Sequence, residues 1–523
     1  MTPRVNRSRW LKFLIPSTSD LIFVLLLGAF AAAPLGQKLL GDAGIGWHIR
    51  TGQLILQTGA VPRVDPFSAT MRGQPWYAWE WLYDILVGSF ERIAGLNGAV
   101  FANALVIAAT FALVFRRMIV RGTGLMVGVG LVLLGVFASS IHFLARPHVV
   151  SWLLTVVFFE ILRGFEADGR PSRLLWLPAL MLIWVNVHGG FLVGLMLMGF
   201  YLIAAIFQAI LSGNRELRAG EVRGTKALAV MTVICGLVTL ANPYGYRLHE
   251  HIYRYLTDRF LMDHIDEFLS PNFHGAAQKC FTAIILLTIA TVAISRRKIC
   301  LSELLVIVFA VYSGLYAARN IPVAAILLVL IIGPRLSAAI QSSAAEGKLS
   351  ASGGLVLDRF AGFEGRMSAQ ESALGGHWLA VAAVLLGAWI CLHAGRLGAT
   401  QVMNASFDAK RFPVQAVAWL QHQPVRGPVF CPDSWGGYLI YLAFRDLKAV
   451  VDDRHDLYGA EYFKQYLKIM RVEPGWDKAL SQTRADWLLL PSQSSAATLL
   501  RQVPTWGIAY SDETAIVFQR TTK

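Results

Sequence analysis

The chain has 523 residues, of which 55% are hydrophobic and only 15% are charged, and its mean hydropathy is +0.52. A soluble core of this size could not bury so much apolar side chain, so the composition predicts a membrane protein and excludes an ordinary soluble domain. The net charge of +14 does not indicate a nucleic-acid partner, because lysine and arginine mostly lie in short clusters between apolar segments.

About eleven segments approach the roughly 20 apolar residues that a helix needs to cross a bilayer. They lie near 21–35, 99–115, 125–144, 149–162, 174–187, 191–211, 228–241, 281–294, 304–317, 321–332 and 378–393. The N-terminal stretch does not read as a cleavable signal peptide, because the first apolar segment has full length and no clear small-residue cleavage site precedes Asp42.

The basic residues alternate between loops in the manner of the positive-inside rule. If the N-terminus is cytoplasmic, the cytoplasmic loops collect clusters near 116–121, 163–173, 215–226 and 296–298. This topology predicts a membrane domain over 1–395 and an external α/β domain over 396–523. The Ser-, Ala- and Gly-rich range 334–377 is predicted to be a flexible cytoplasmic linker within the membrane domain, with room for a short amphipathic stretch.

The range 36–98 is predicted to be a long first external loop with two interfacial helices. The stretch "IGWHIRTGQLILQTG" has one apolar helical face, and the stretch "WYAWEWLYDILVGSFERIAG" has another. Between them, "VPRVDPFSATMRGQPW" is rich in Pro and Gly and is predicted to be a loop that carries Asp65.

Unusual polar residues gather on the predicted external side. Any one of them could cap a helix or anchor it at the headgroups, but ionisable groups near membrane depth are costly unless they face a wet cavity or one another. Their convergence on one side therefore favours a site there. The residues are Asp42, His48, Asp65, Glu80, Asp84, Arg146, His148, His188, Asn242, Glu267, Arg319 and Asn320.

The sequence after residue 396 alternates short strand patterns with helical ones, as expected for a small α/β domain. "GPVFCPDSWGGYLIYLAF" predicts a strand, a glycine turn and a helix, and "KAVVDDRHDLYG" predicts a strand that ends in a polar loop. Open α/β sheets bind ligands at strand ends, so Asp433, Trp435, Asp453 and Arg454 are candidates for the acceptor side. The alternative is that the domain caps a membrane cavity and that "DDRHD" is a salt-bridged turn.

The architecture as a whole resembles the GT-C class of integral-membrane glycosyltransferases. An acid follows the first span, two juxtamembrane helices follow in a long first external loop, and a C-terminal domain closes a chain of about eleven spans. The stretches "GDAGIGWHIRTGQLILQTGAVPRVDPFSAT", "WEWLYD", "WVNVHGGF", "ANPYGYRLHEHI" and "AARNIPV" are similar to bacterial membrane proteins that we group with this class. The predicted fold is therefore a polytopic α-helical membrane domain of GT-C type with an external α/β domain.

The resemblance implies a polyprenyl-phosphate sugar as donor and an acid of the first external loop as base or metal ligand. Asp42 matches that position, but "GDAG" has a lone acid where many members have a pair. A divalent cation such as Mg²⁺ or Mn²⁺ at Asp42 is therefore possible but not required. The five cysteines show no CxxC and no metal-type spacing, so they predict neither a disulfide framework nor a zinc site.

Displacing phosphate from an anomeric carbon needs a carboxylate that takes the acceptor proton and donors that hold the departing charge. Asp42 is the predicted base, with Asp65 and Glu80 as second choices. The planar fork of arginine suits phosphate, so the donor or substrate site is expected to draw on Arg146 and Arg319. The other members of this predicted set are His48, His148, His188 and Asn320.

These expectations predict an inverting glycosyltransferase of the bacterial inner membrane that serves a lipid, glycan or protein acceptor on the external face. A transporter or flippase of a lipid-linked or anionic solute is the main alternative. That class needs polar groups at mid-membrane and often repeated halves, and the sequence shows neither. A non-catalytic structural relative is the third possibility.

Overall fold

The protein is described by a computed structural model that covers residues 14–32, 35–212, 215–345, 351–425 and 427–521. Up to residue 392 the described elements are helical. They are α1 Thr18–Ala31, α2 Leu35–Leu39, α3 Ile45–Thr58, α4 Trp81–Val120, α5 Leu125–Ser139, α6 His148–Asp168, α7 Leu177–Val185, α8 Phe191–Leu211, α9 Arg215–Val238, α10 Tyr246–Thr257, α11 Arg259–His264, α12 Ala276–Ile294, α13 Leu301–Tyr316, α14 Ile321–Ala345, α15 Ala351–Ala373 and α16 Trp378–Leu392, with four short 3₁₀ segments between them.

A helix lies over each of the predicted apolar segments, but the count of about eleven spans is not confirmed. Among the described residues, six helices are long and apolar enough to cross a membrane, and four further apolar helices are shorter. The six are Trp81–Val120, Leu125–His142, His148–Asp168, Phe191–Leu211, Ala276–Ile294 and Ala318–Ser343. They form a bundle whose buried side chains make one continuous apolar core.

The range 36–98, predicted to be the first external loop, contains both predicted helices, α3 and the first part of α4. The second of them does not stop before the next apolar segment. Instead α4 runs on to Val120 across a kink at Ala94 and Gly95, where Gly95 has a φ of 61° that a side chain would strain. The loop and the span are therefore joined in one bent element.

The predicted flexible linker over 334–377 is wrong for most of its length. Helix α14 continues through Pro334 to Ala345, and α15 covers Ala351–Ala373. Two carboxylates of α15 hold helix starts elsewhere: Glu371 accepts from the Thr18 backbone N–H at 2.8 Å, and Glu364 accepts from that of Met126 at 2.8 Å. Alanine is common in linkers but also has the highest helix propensity of all residues. The Ser/Ala/Gly content could therefore not distinguish a linker from a helix.

The C-terminal domain is α/β, as predicted. A two-stranded hairpin, β1 Arg396–Leu397 with β2 Thr400–Gln401, precedes a mixed five-stranded sheet in the order β4-β3-β5-β7-β6. Strands β3, β4 and β5 are parallel, and β7 is antiparallel to β5 and β6. The elements are α17 Val414–Leu420, β3 Pro428–Phe430, α18 Asp433–Ala443, β4 Lys448–Ala449, α19 His455–Met470, α20 Trp476–Gln482, β5 Trp487–Pro491, α21 Ser495–Leu500, β6 Trp506–Ser511 and β7 Ala515–Arg520.

The sheet domain docks on one end of the helix bundle, which we call the domain face. There α18 crosses α3 so closely that a Cβ atom at Gly46 would clash with the carbonyl oxygen of Gly437, and a Cβ at Gly437 would clash with that of Ala43. The two glycines predicted to form a turn in "DSWGGYL" lie inside α18 instead. Arg50 adds a hydrogen bond of 2.6 Å from its Nε to the carbonyl oxygen of Tyr441.

Candidate functional site

A cavity of about 400 Å³ opens at the domain face of the bundle. It is formed by the start of α4, the start of α6, the turn between α7 and α8, and the segment from α10 to the 3₁₀ turn at Asp266–Phe268. Its aromatic walls include Trp79, Trp152, Tyr255, Phe268 and Tyr316. Its polar side chains include Glu80, His142, His148, Ser151, His188, Glu267, Arg319 and Asn320. A concave, mostly apolar space with a few convergent polar groups is the usual form of a ligand site.

Glu80 places a carboxylate inside this cavity, with its side chain 11% exposed. One oxygen lies 3.7 Å from His48 Nε2, and the other lies 3.7 Å from His188 Nε2. Burial raises the pKa of Glu80 to about 8, against the lowering effect of Arg146. Glu80 is therefore mostly protonated at neutral pH and can donate as well as accept a hydrogen bond.

His48 lies behind Glu80, fully buried on α3. Burial, and after it the charge of Arg146, holds the pKa of His48 well below its usual range, so the ring is neutral. Its Nε2 faces Arg146 Nη1 at 3.5 Å, and because a guanidinium can only donate, Nε2 accepts. The proton then belongs on Nδ1, which donates to Asp84 Oδ1 at 2.6 Å.

Asp42 is not among the residues that line the cavity; it belongs to a neighbouring charge cluster with Arg146 and Asp453, which we call the rim. Its Oδ2 accepts from Arg146 Nη2 at 2.8 Å and from Nε at 3.1 Å, and its Oδ1 accepts from the Gly44 N–H at 2.8 Å. Its side chain is 30% exposed. Asp42 therefore reaches the cavity through a chain of contacts that runs from Arg146 to His48 and from His48 to Glu80.

Asp453 brings the C-terminal domain into this cluster. It follows β4 and forms a second ion pair with Arg146, while its Oδ1 accepts from Trp47 Nε1 at 3.0 Å. Two carboxylates from distant parts of the chain thus share one guanidinium. Burial raises the pKa of Asp453 to about 6, although Arg146 acts in the opposite direction.

His188 lines the opposite side of the cavity and has a fixed orientation. Its Nδ1 accepts from the Gly190 backbone N–H at 3.0 Å and lies 2.9 Å from Ser151 Oγ. The ring proton therefore lies on Nε2, which points towards Glu80. Burial, followed by the charge of Arg319, holds the pKa of His188 well below its usual range, so the ring is a neutral donor.

Arg319 is the cation that lines the cavity. Its Nη1 lies 3.0 Å from Glu267 Oε1, and its guanidinium lies 4.5 Å from the centre of the Phe268 ring. Beside it, Asn320 donates from Nδ2 to the carbonyl oxygen of Ser313 at 3.1 Å. His148 bonds through Nε2 to the carbonyl oxygen of His142 at 2.8 Å, which fixes its ring next to that of His188.

Several predicted site residues lie outside the cavity. Asp65 and Arg454 form a buried ion pair of 2.8 Å, and Arg454 also pairs with Asp452. Asp433 pairs with His455 at 2.9 Å, and Trp435 donates to the carbonyl oxygen of Arg411 at 3.0 Å. These contacts give each residue a structural partner, and their acceptor-side role stays a prediction. Asn242 accepts from the Tyr244 N–H and caps its own turn.

Three residues of the cluster have no role in the predictions made from the sequence. The first is Trp47, whose indole N–H donates to Asp453. Ser151 was missed, yet it lies one helical turn after His148, on the same face of α6. His142 was also missed because it ends an apolar run, where a single polar residue usually only marks the interface. The i, i+3 spacing was the signal for Ser151.

The surroundings of Asp42 do not fit a metal site. Arg146 occupies the side of Asp42 Oδ2 where a cation would bind, and the described residues contain no group of three His, Cys, Asp or Glu side chains that could hold a metal ion. A divalent cation at this position stays a prediction, and the proposed transfer does not require one.

No family model and no curated protein matches the chain. Among solved structures, the oligosaccharyltransferase of Archaeoglobus fulgidus tethered to an acceptor peptide is similar with a TM-score of 0.51 and 12% identity, over 99% of this chain and 74% of that one. The same archaeal oligosaccharyltransferase, AglB, in complex with an inhibitory peptide and a dolichol-phosphate has a TM-score of 0.50 and 11% identity, over 98% and 74%. ArnT from Cupriavidus metallidurans bound to undecaprenyl phosphate has a TM-score of 0.46 and 15% identity, over 96% of each chain.

The similarity to the archaeal oligosaccharyltransferase spans nearly the whole chain. It confirms the predicted arrangement of a helical membrane domain followed by an α/β domain, which is the fold of that oligosaccharyltransferase. At this level of identity the comparison shows the fold alone, and evidence for the function must come from the residues of the site.

Proposed function

We propose that this chain is an integral-membrane glycosyltransferase that transfers a sugar from a polyprenyl-phosphate carrier to an acceptor at the domain face. The observation that carries the proposal is the cavity itself, where the acid Glu80, the oriented neutral donor His188 and Arg319 converge. The carboxylates that share Arg146 connect to this cavity through the buried His48. The similar fold of the archaeal oligosaccharyltransferase, which was solved in complex with a dolichol-phosphate, supports the proposal.

The phosphate of the donor is proposed to bind against Arg319. This guanidinium lies in the cavity wall, and within the described part of the chain it pairs with one carboxylate, that of Glu267, which leaves N–H groups for phosphate oxygens. The Nε2–H of His188 and the protonated Glu80 point into the same space as neutral donors. Such donors stabilise the charge that develops on the departing phosphate.

Asp42 is proposed as the base. In an inverting transfer the acceptor oxygen forms a bond to the anomeric carbon, the bond from that carbon to the phosphate oxygen breaks, and the acceptor proton passes to a carboxylate. Asp42 lies at the rim, partly open to an incoming acceptor, and Arg146 fixes its orientation. Glu80 is the second candidate because it lies inside the cavity.

The domain face is proposed to be the external side of a bacterial inner membrane, with the N-terminus cytoplasmic. The basic clusters near 116–121, 163–173 and 296–298 lie at helix ends away from this face, as the positive-inside rule requires. The acceptor is a lipid, a glycan or a protein that reaches the rim from outside.

The test is transfer from a panel of radiolabelled polyprenyl-phosphate sugars to membrane extract by the purified full-length protein. We expect product with the wild type and a decrease of about 10²–10⁴-fold in Asp42→Asn, the usual contribution of a general base. Asp486→Asn serves as the matched control, because that carboxylate lies in an exposed pair with Arg520 on the sheet domain and has no proposed role. It should retain activity.

The outcomes separate the candidates. Full activity in Asp42→Asn with loss in Glu80→Gln would transfer the role of base to Glu80. Full activity in both variants would contradict the proposed chemistry at this site. An inactive wild type across a broad donor panel would contradict the enzyme proposal and favour a transporter or a non-catalytic relative.

A further inference from the structure

A second cavity, of about 190 Å³, lies at the opposite end of the bundle, between α6, α8 and α9. Helix α6 begins at the domain-face cavity with His148 and reaches the second cavity with Phe165 and Glu166. At 1.5 Å per residue the two cavities are about 25–30 Å apart, close to the thickness of the hydrocarbon core of a bilayer. The second cavity therefore belongs to the other membrane surface and plays no part in the proposed transfer.

Four side chains of this cavity carry a carboxylate or a hydroxyl group, and one of them, Thr225, donates to the carbonyl oxygen of Glu221 at 2.8 Å. Tyr201 is 2% exposed, and its hydroxyl has no hydrogen-bond partner within the part of the chain that the structure describes. The same holds for Glu221 Oε2, whereas Glu221 Oε1 accepts from Gln208 Nε2 at 3.3 Å. Glu166 Oε1 accepts from Ser302 Oγ at 2.5 Å. Buried polar atoms without partners are costly, so the unpartnered oxygens point to a ligand that donates hydrogen bonds.

The ionisable acids that line this cavity are Glu166 and Glu221, and no lysine or arginine is among the lining residues, although basic residues of the 215–226 cluster lie elsewhere on α9. Among the described residues, neither Glu166 nor Glu221 forms an ion pair. The nearby arginines have other carboxylates: Arg163 lies 3.5 Å from Glu303, and Arg173 lies 2.7 Å from Asp168. The ligand should therefore carry a positive charge.

The rest of the wall is apolar or small. Phe165, Ala205 and Leu228 line one part, and the glycines at 169, 220 and 224 leave room beside the carboxylates. A ligand with a cationic head and an aliphatic continuation fits this combination. A doubly charged metal ion fits it less well, because the described residues contain no group of three metal-ligating side chains.

We propose that this cavity binds a primary ammonium group, of the kind carried by the ethanolamine headgroup of a phospholipid. An ammonium has three N–H donors and no acceptor, which matches the open oxygens of Glu221 and Tyr201. A quaternary ammonium has the charge but no donor, and a phosphate or carboxylate has the wrong sign. The inference does not rest on the proposed glycosyl transfer.

The test compares thermal unfolding of the full-length protein in nanodiscs of phosphatidylglycerol alone, or of phosphatidylglycerol with phosphatidylethanolamine or phosphatidylcholine. We expect the ethanolamine lipid to raise the melting temperature by about 2–4 °C and the choline lipid to give no increase. Glu221→Gln should lose this increase. Glu250→Gln is the matched control, because Glu250 lies in an exposed pair with Arg254 on α10 and should retain it.

Two further arms identify the source of the ligand. Free ethanolamine added to nanodiscs of phosphatidylglycerol should stabilise the wild type and not Glu221→Gln if any primary amine suffices. Tyr201→Phe is measured as a second variant, in case Glu221→Gln does not fold. Any of three results would overturn the inference. The melting temperature could be equal in all three lipids, both variants could retain the increase, or Mg²⁺ alone could stabilise the protein in a way that a chelator reverses.

Discussion

Glu80 has a protonation state that changes within the working range of pH. Its pKa of about 8 lies above the ordinary value of 4.5, so the folded protein keeps a proton that the unfolded chain releases. The free energy of unfolding therefore falls as the pH rises from about 5 to about 8, because the unfolded chain loses this proton first. The stability that the raised pKa contributes is gone once the pH exceeds the pKa of the folded state. The cause is burial of the carboxyl group in the cavity wall.

We predict that Glu80→Gln makes the melting temperature less dependent on pH over this range. The amide keeps the shape of the side chain and cannot ionise, so the variant should gain stability relative to the wild type as the pH rises. Differential scanning fluorimetry of the two detergent-solubilised proteins across this pH range measures their melting temperatures. Parallel pH profiles for the two proteins would contradict the assignment.

Arg146 is predicted to need its planar fork. It bonds Asp42 through two nitrogens and Asp453 through one of them, a geometry that a single ammonium cannot reproduce. We expect Arg146→Lys to reduce transfer by about 10–100-fold, since one donor of a fixed charge cluster is lost. Initial rates at saturating donor measure this effect, and Arg254→Lys, at an exposed pair, is the control. An unchanged rate would remove Arg146 from the site.

At the scale of single residues the sequence predicted the cluster better than its internal order. Of the predicted site residues, Glu80, His148, His188 and Arg319 line the cavity, and Asp42, Arg146 and His48 connect to it by a chain of contacts, while their roles stay predictions. Partners across the chain could not be predicted, because the sharing of Arg146 by Asp42 and Asp453 depends on how a distant domain docks.

Among the elements, α3 and α18 are held at a contact that tolerates no side chain. A Cβ at Gly46 would meet the carbonyl oxygen of Gly437, and backbone atoms cannot move aside cheaply. We predict that Gly46→Ala destabilises the protein by about 1–3 kcal/mol, the usual cost of overpacking. Gly130→Ala is the control, because its Cβ would meet nothing within 4 Å. The free energy of unfolding in a mild denaturant series measures both, and equal values would contradict the close contact.

The elements themselves were predictable where their pattern was local. The apolar segments, the two helices of the first loop and the strands near 428, 487, 506 and 515 follow from periodicity and turn residues. The helix α15 was missed because its stability comes from contacts such as Glu371 with Thr18, far apart in sequence. The kink at Gly95 was missed because it joins a loop helix and a span that the sequence shows as separate.

In the whole molecule the first loop and the C-terminal domain are joined by a buried charge network. Arg454 is 2% exposed and pairs with Asp65 of the loop and Asp452 of the domain. Arg454→Met should destabilise the protein by about 3–5 kcal/mol, because two buried carboxylates lose their partner. Arg254→Met, at an exposed pair, should cost less than about 1 kcal/mol. Chemical unfolding measures both, and similar losses would contradict a structural role for Arg454.

The membrane domain and the sheet domain together follow the fold of the archaeal oligosaccharyltransferase, which the sequence predicted from its order of elements. Identity of the sugar and the acceptor was not predictable, because the sequence contains no motif that contacts either. The proposed function depends on one physical claim, that the domain-face cavity holds the phosphate of a polyprenyl carrier against Arg319.

That claim is tested most directly by a cryo-electron-microscopy structure of the full-length protein in nanodiscs with undecaprenyl phosphate. For the wild type we expect phosphate density in the domain-face cavity, within hydrogen-bond distance of the Arg319 guanidinium and near His188 Nε2. In Arg319→Ala we expect that density to be lost. Phosphate density bound elsewhere on the protein, or an empty cavity at saturating undecaprenyl phosphate, would contradict it.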